Sequence, residues 1–290
     1  MLDPRTALRR ILEGLKAEPS RTWSIIITVY GDAIVPRGGS LWLGTLSAFL
    51  HAIDIGDGVV RTAMSRLAAD GWLERSRVGR NSFYRLAERG RETFRTATEH
   101  IYNAHPPPPG SGFELVLLGN GGDRDAARTA LQAAGFGSAA PGVWVAPAGT
   151  PVPPEAAEAL RLDASADDGT RRRLAAQSWP LDQTAAAYCR FLAEFEPLRE
   201  ALAAGGTLSD QDSFIARILL IHAWRRIVLR DPVLPADLLP PDWPGTAART
   251  LCADLYHRLL PASERWLDAH GQAESGPLPP PGPELLQRFR

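Results

Sequence analysis

Residues 60–86 read VRTAMSRLAADGWLERSRVGRNSFYRL, and this stretch decides the fold. Val60, Ala63, Met64 and Leu67 recur at spacings of three and four, so a helix over 58–70 is expected to bury that stripe. Asp57, just ahead of it, is the expected N-cap. After Gly71, WLERSR and SFYRLA flank VGRN; two runs of β-formers around a glycine-containing turn predict a hairpin. Upstream, Leu43, Leu46, Leu50 and Ile53 mark a helix over 41–53, and DIGDG turns the chain from it into the next. Helix, tight turn, helix and hairpin together are the layout of a winged helix-turn-helix.

Moving outward, RTWSIIITVYGDAIVP places Trp23, Ile26, Ile27, Tyr30 and Ile34 on one helical face, and Pro36, Gly38 and Gly39 end it. ERGRETFRTATEHIYN, 88–103, is expected as a helix with Phe94, Ala97 and Ile101 inward, whereas the stretch up to Ser20 shows no clear pattern. Trp23, Trp42 and Trp72 read as core anchors.

Charge sharpens this picture. The 290 residues carry 32 Lys+Arg and 33 Asp+Glu, a formal net charge of −1, which as an average argues against nucleic acid. Mapped along the chain, residues 1–105 carry +4 and 106–290 carry −5, and the window 59–95 alone holds nine Arg against four acids. A basic front on an acidic rear indicates a nucleic-acid module joined to something else. On the helix over 58–70, the buried stripe leaves Arg61, Thr62, Ser65 and Arg66 outward. Guanidinium forks bind guanine edges or phosphates, and hydroxyls are short adaptable donors and acceptors. Arg75, Arg77, Arg80 and Asn81 cluster about the hairpin, with Tyr84 on its second strand, and Arg85, Arg89 and Arg91 extend the basic stripe. These residues are the expected contacts to double-stranded DNA.

Four prolines, Pro106–Pro109, followed by Gly110, read as a stiff linker and a domain boundary. Beyond it FELVLLG (113–119) and GVWVAP (142–147) read as buried strands, DRDAARTALQAAGFG as a helix from Asp123 to Gly135, and PPEAAEALR as a further helix start. With a last short strand near 161–164, the order suits a ferredoxin-like fold. The run 164–170 is a softer break. Three long helical patterns follow, LDQTAAAYCRFLAEFEPLREAL, SDQDSFIARILLIHAWRRIVL and GTAARTLCADLYHRLLPASERWLDAH, with Thr184 and Ser209 as candidate caps. The Pro- and Gly-rich tail beyond Gly271 is expected to be loosely packed. The start has no apolar leader, no run nears the ~20 apolar residues of a membrane span, and Cys189 and Cys252 form no metal or disulfide pattern, so a cytoplasmic protein is expected.

RGGSLWLGTLSAFL, VRTAMSRLAADGWL and GRNSFYRL, with GFGSAAPGVWVAP in the middle and HAWRRIVLRDPVLPADLLPPDWPG in the rear, resemble the PaaX family of transcriptional repressors over roughly residues 20–270. The resemblance implies an α+β multidomain chain: a winged helix-turn-helix over 20–105, a ferredoxin-like (Cas2-like) dimerisation domain over 111–178, a helical effector-sensing domain over 179–271, and a Pro-rich tail over 272–290 outside it. It implies a homodimeric repressor of an aromatic-acid catabolic operon, of the phenylacetate type. An aryl-CoA thioester such as phenylacetyl-CoA would release it from DNA. No resident cofactor is implied. Cas2 proteins carry a metal-binding Asp at the end of the first strand; here that strand ends Leu118-Gly119-Asn120, and Asp123 and Asp125 suit the helix start, so no metal is expected.

His222, Trp224, Arg225, Arg226 and Arg230 are the candidate effector residues: guanidinium groups for the phosphates of an acyl-CoA, Trp for its adenine or aryl end. The other reading of the same motif is structural, with Arg230–Asp231 and its neighbours as ion pairs locking a helix end to the proline loop, and Trp243 as a plug beneath that loop. No nucleophile–base pair is evident, so an enzyme acting on CoA esters or nucleic acid, with the winged helix as a docking module, is the alternative rather than the expectation.

Overall fold

The computed structural model describes residues 2–17, 21–103, 106–110, 112–119 and 123–290. In chain order the elements are α1 (Pro4–Ala17), α2 (Thr22–Val29), β1 (Ser40–Trp42), α3 (Leu43–His51), α4 (Asp57–Ala69), β2 (Leu73–Val78), β3 (Asn81–Leu86) and α5 (Glu88–Thr98). Then come β4 (Gly112–Leu117), α6 (Arg124–Ala133), β5 (Gly137–Ala140), β6 (Val143–Pro147), β7 (Leu160–Ser165) and α7 (Asp168–Ser178). The rear holds α8 (Leu181–Ala203), α9 (Asp210–Val228), α10 (Gly245–His270), β8 (Gln272–Ala273) and β9 (Gly276–Pro277). The protein is therefore α+β, and all strand pairs are antiparallel.

By contact the chain divides into two compact units, and neither is one continuous piece. The first joins Met1–Asn103, Cys189–Leu229 and Thr246–Arg290; the second joins Ala104–Tyr188 and Arg230–Gly245. This division does not follow the linear one expected from the sequence. The rear helices complete the core of the front segment.

In the first unit, β3 lies between β1 and β2, with Leu41 opposite Tyr84 and Arg75 opposite Tyr84 on the other side. The hairpin turns on Gly79 and Arg80, with Gly79 at φ +60°, the conformation a two-residue hairpin turn asks of its first residue. Several local expectations are corrected. Residues 4–17 are helical: Asp3 accepts from the Arg5 and Thr6 amides at 3.1 Å, and Ala7, Leu8 and Ile11 are buried. An Asp-Pro start is the cap signal that the sequence reading passed over. Residues 41–42 belong to β1 rather than to α3. The N-cap of α4 is Gly56; the Asp57 carboxylate instead meets His51 at 3.1 Å. Both flanking helices end in wide π turns, Tyr30–Ile34 after α2 and Glu99–Asn103 after α5.

α9 is the hub, buried without interruption from Ser213 to His222. Phe214 stacks on Trp266 of α10 at 4.6 Å, and Trp224 packs on Phe191 of α8 at 5.7 Å. Inside this apolar packing sits a charge network. Asp32 and Arg217 are both fully buried and form an ion pair at 2.7 Å. Arg217 also reaches Glu264 at 2.5 Å, and Glu264 accepts from Arg37 at 2.8 Å. Burial alone would lower the Arg217 guanidinium, but Asp32, Tyr256 and Glu264 outweigh it and hold it well above its usual range.

The tail supplies the other half of the network. Arg288 donates to the Asp32 carbonyl at 2.7 Å, to its carboxylate at 3.0 Å and to the Tyr256 hydroxyl at 2.9 Å. Its guanidinium lies 4.1 Å from the Tyr102 ring centroid, and Phe289 meets the Tyr102 and Tyr256 rings at 5.2 and 5.3 Å. Leu278 and Leu285 are buried as well. The expectation of a loose tail is thus wrong: proline content limits helix formation, but it does not prevent burial of Leu278 between the prolines or of Leu285, Arg288 and Phe289 after them.

The second unit carries a four-stranded sheet in the order β5-β6-β4-β7. Both faces are covered, so β4 is apolar throughout apart from Glu114. Phe113 and Val145 pack with Ala175, Trp179 and Leu238 on one face, and Val116 and Trp144 with Ala127 and Leu131 of α6 on the other. Glu114 is nearly buried in β4 and is neutralised by Arg161 of β7 at 2.6 Å. PPEAAEALR yields only a single 3-10 turn, Pro154–Ala156, which packs on the α6 side, and a further helix, α7, covers the other face, started by Asp167 where a break was expected. Ser209 caps α9, accepting from the Asp212 amide at 3.0 Å; Thr184 caps nothing and donates back to the Pro180 carbonyl inside α8.

Candidate nucleic-acid interface

α4 is held by Val60, Met64 and Leu67, all buried, and the opposite face carries Arg61, Thr62, Ser65 and Arg66, all exposed. Thr62 donates to the Gly58 carbonyl at 2.9 Å, which fixes its rotamer and leaves its oxygen lone pairs outward. Arg66 makes only a long contact to Asp70, 3.6 Å. In the hairpin, Arg77, Arg80 and Asn81 are exposed, and no side-chain partner for them occurs among the described residues. Arg75 donates to Ser82 at 2.7 Å and lies 6.0 Å from the Tyr84 ring centroid.

Tyr84 departs from expectation. It is only 6% exposed, so its ring is a wall of the core beneath Arg75 rather than a contact residue. Two of the outer arginines are also committed: Arg85 to Glu74 at 3.0 Å, and Arg91 to Glu88 and the Leu86 carbonyl. The free positive charge is therefore narrower than the sequence stripe and centres on α4 and the hairpin tip. The hairpin is braced from behind by Ser76, which hydrogen-bonds Glu274 of the tail, and α3 is tied to the end of α10 by Thr45, which donates to the His270 carbonyl at 2.8 Å.

The rear motif does not converge on one site. His222 and Trp224 are buried; the Trp224 indole donates to the Ile101 carbonyl at 2.8 Å, and Thr28 Oγ1 lies 3.1 Å from His222 Nδ1. Burial, with Arg225 and Arg226 adding to it, pushes His222 down to about 3, so it is neutral at physiological pH. Arg226 and Arg230 are exposed, and Arg225 and Arg226 line different cavities on different sides of α9. Asp231 accepts from Tyr188 at 2.5 Å and from the Val233 amide at 2.8 Å. Trp243 packs edge-on to Tyr188 at 5.9 Å beside the proline loop.

Sequence reasoning passed over a cavity of about 260 Å³ in the first unit, between α2, α5 and α9. Trp23, Ile27, Trp72, Phe94, Ile101 and Arg225 line it. Trp23 and Trp72 are thus cavity walls rather than core anchors, and Trp23 stays 36% exposed. Gly31 makes room for this arrangement, since a Cβ there would stand 2.4 Å from the Phe94 ring.

Asp123 caps α6, accepting from the Ala126 amide at 3.0 Å, and Asp125 pairs with Arg128 at 3.1 Å; Asn120 lies outside the described residues. Among the described residues, no group of three or more His, Cys, Asp or Glu is placed to hold a metal, and no helix is long and apolar enough to cross a membrane.

An exposed helix face of Arg and hydroxyl residues beside a basic hairpin is a surface built to meet a polyanion. Residues 21–90 match the model of the PaaX-like protein family, and 179–269 match that of the PaaX-like C-terminal domain. The chain is 36% identical over 299 aligned residues to the transcriptional repressor PaaX of Escherichia coli (strain K12), covering 96% of this chain and 93% of that protein. It belongs to the PaaX-like family. The uncharacterized protein Rv0674 of Mycobacterium tuberculosis has a similar fold, with a TM-score of 0.53 at 23% identity over 90% of this chain and 97% of the other.

Proposed function

We propose that this protein is a DNA-binding transcriptional repressor of an aromatic-acid catabolic operon of the phenylacetate type, released from its operator by an aryl-CoA thioester such as phenylacetyl-CoA. The observation that carries this reading is the exposed face of α4, where Arg61, Thr62, Ser65 and Arg66 stand outward opposite the buried stripe of Val60, Met64 and Leu67. The 36% identical relative being a repressor supports the same role. Residues 20–105 act as a winged helix-turn-helix, with α4 in the major groove and the tip at Arg77, Arg80 and Asn81 on the backbone or in the minor groove. The antiparallel sheet of the second unit is the ferredoxin-like (Cas2-like) module, and it serves homodimerisation, which presents two α4 helices to a pseudo-palindromic site.

The test is a gel shift or anisotropy titration on DNA upstream of the protein's own gene, at stated salt, with an acyl-CoA panel. Specific binding relieved by an aryl-CoA and not by CoA alone is expected. Operator binding indifferent to every CoA thioester leaves a DNA binder without this effector, and no operator binding at all removes the repressor reading.

A further inference from the structure

Among the described residues, Arg225 is a partly buried guanidinium without an ion-pair partner. Its Nε donates to Thr28 Oγ1 at 2.7 Å, and its Nη2 to the Ser24 carbonyl at 2.8 Å and hydroxyl at 2.7 Å. All three acceptors are neutral. Among the described residues Nη1 has no acceptor, yet it is not sealed from solvent. Asp32 also lines the cavity but is already spent on Arg217 at 2.7 Å, Arg288 at 3.0 Å and Tyr102 at 2.6 Å. Burial lowers the Arg225 guanidinium to about 10, so it remains charged at neutral pH. A desolvated charge lacking a partner is costly, and an occupant bringing an oxygen acceptor would offset that cost.

The rest of the cavity is apolar and flat-walled. Trp23, Trp72 and Phe94 offer ring faces and edges, and Ile27, Ile101 and Ile221 close the sides. A cavity of ~150 Å³ already accepts benzene, so about 260 Å³ holds one ring and a short arm but no long acyl chain. We propose that this cavity takes the aryl-acyl end of a carboxyl-derived ligand, its ring among Trp23, Trp72 and Phe94 and its carbonyl oxygen on Nη1 of Arg225. The ligand class rests on the function proposed above; the location does not. Two sources share the chemistry, a free aryl carboxylate and its CoA thioester.

The position also suits regulation. Trp72 is the last of the three residues between the end of α4 and the start of β2, and Arg89 lies over its ring at 5.8 Å. An occupant therefore presses on the joint between the exposed helix and the hairpin. A ligand that prefers one setting of that joint shifts its population.

The experiment measures binding of phenylacetate, phenylacetyl-CoA and CoA to the full chain, by tryptophan fluorescence and by ligand-induced rise in melting temperature. Arg225→Gln and Ala97→Phe are compared with wild type, the second filling the cavity from α5. The expected result is binding of an aryl-acyl compound but not of CoA alone, weakened at least tenfold by Arg225→Gln and lost in Ala97→Phe. Binding by phenylacetate alone identifies the acid as the source, and binding by phenylacetyl-CoA alone identifies the thioester. Each variant is counted only if it melts cooperatively; if Ala97→Phe does not, Thr93→Trp fills the same space and Arg225→Lys tests the fork. Wild-type affinity in the variants overturns the location while leaving operator release by aryl-CoA intact. Binding without operator release overturns the regulatory reading while leaving the location intact. No binding of either aryl compound overturns the proposal.

Discussion

Arg217 and Arg61 carry the same guanidinium into opposite surroundings. Around Arg217, Asp32 and Glu264 lie within 2.7 Å, the Tyr256 ring covers the group at 5.2 Å, and Arg288, itself over the Tyr102 ring, closes the network from the tail. Arg61 is exposed with no ion-pair partner among the described residues, and the acids nearest in sequence belong to α4's ends. An arginine with buried acids is a structural part that removing one partner turns into a liability. An arginine without acids is a binding element whose charge is not spent. The chain separates the two sets by placing carboxylates next to the first and withholding them from the second.

The comparison is most easily broken from inside. Asp32→Ala strands Arg288 and leaves Arg217 with Glu264 alone, and urea unfolding is expected to show a loss of about 3–5 kcal/mol. A variant as stable as wild type would mean that water or rearrangement satisfies both arginines. On the outside, Arg61→Ala or Arg66→Ala is expected to weaken operator binding by about 1–3 kcal/mol, with the urea midpoint unchanged; unaltered affinity in both would take α4 out of the groove.

His222 sharpens the inside further. Its folded pKa, about 3, lies below the unfolded value near 6.5, so the unfolded chain binds the extra proton between these limits. The stabilisation is complete above about pH 6.5 and is lost as pH falls toward 3, at up to ~1.4 kcal/mol per pH unit. His222→Gln should flatten that part of the stability–pH curve, and an unchanged slope would show that other groups carry it. The smallest effect belongs to the tip: Arg77→Ala should leave stability within about 0.5 kcal/mol and reduce the salt-dependence slope of DNA binding by about 1, read from titrations at several salt concentrations.

Local pattern was legible where one face decides the outcome. The stripe of α4, the hairpin around Gly79 and the apolar run of β4 each state their partner surface in their own spacing. Long-range pairing was not. Arg288 sits in a stretch of prolines and looked like tail, yet its partner Asp32 lies at the other end of the chain. A signal existed: Arg217 within SFIARILLIHAW and Asp32 within an apolar helix are charges in positions that only a buried partner explains. The rear motif misled for a related reason. Residues adjacent in HAWRR point to different sides of α9, so their shared chemistry in sequence does not become a shared site.

The contribution of the tail to the first unit also sets an order of assembly. Asp32 is made early, but its partners Arg217 and Arg288 and the rings around them come late in synthesis. Residues 104–188, by contrast, are contiguous and bring most of their unit's core with them. A growing chain thus finishes the sheet of the second unit while the front helices are still waiting for their central charges. The unit bearing α4 gains the centre of its charge network only once Arg288 and Phe289 have been made, so a chain interrupted before them leaves Asp32 and the Tyr102 and Tyr256 rings without those partners.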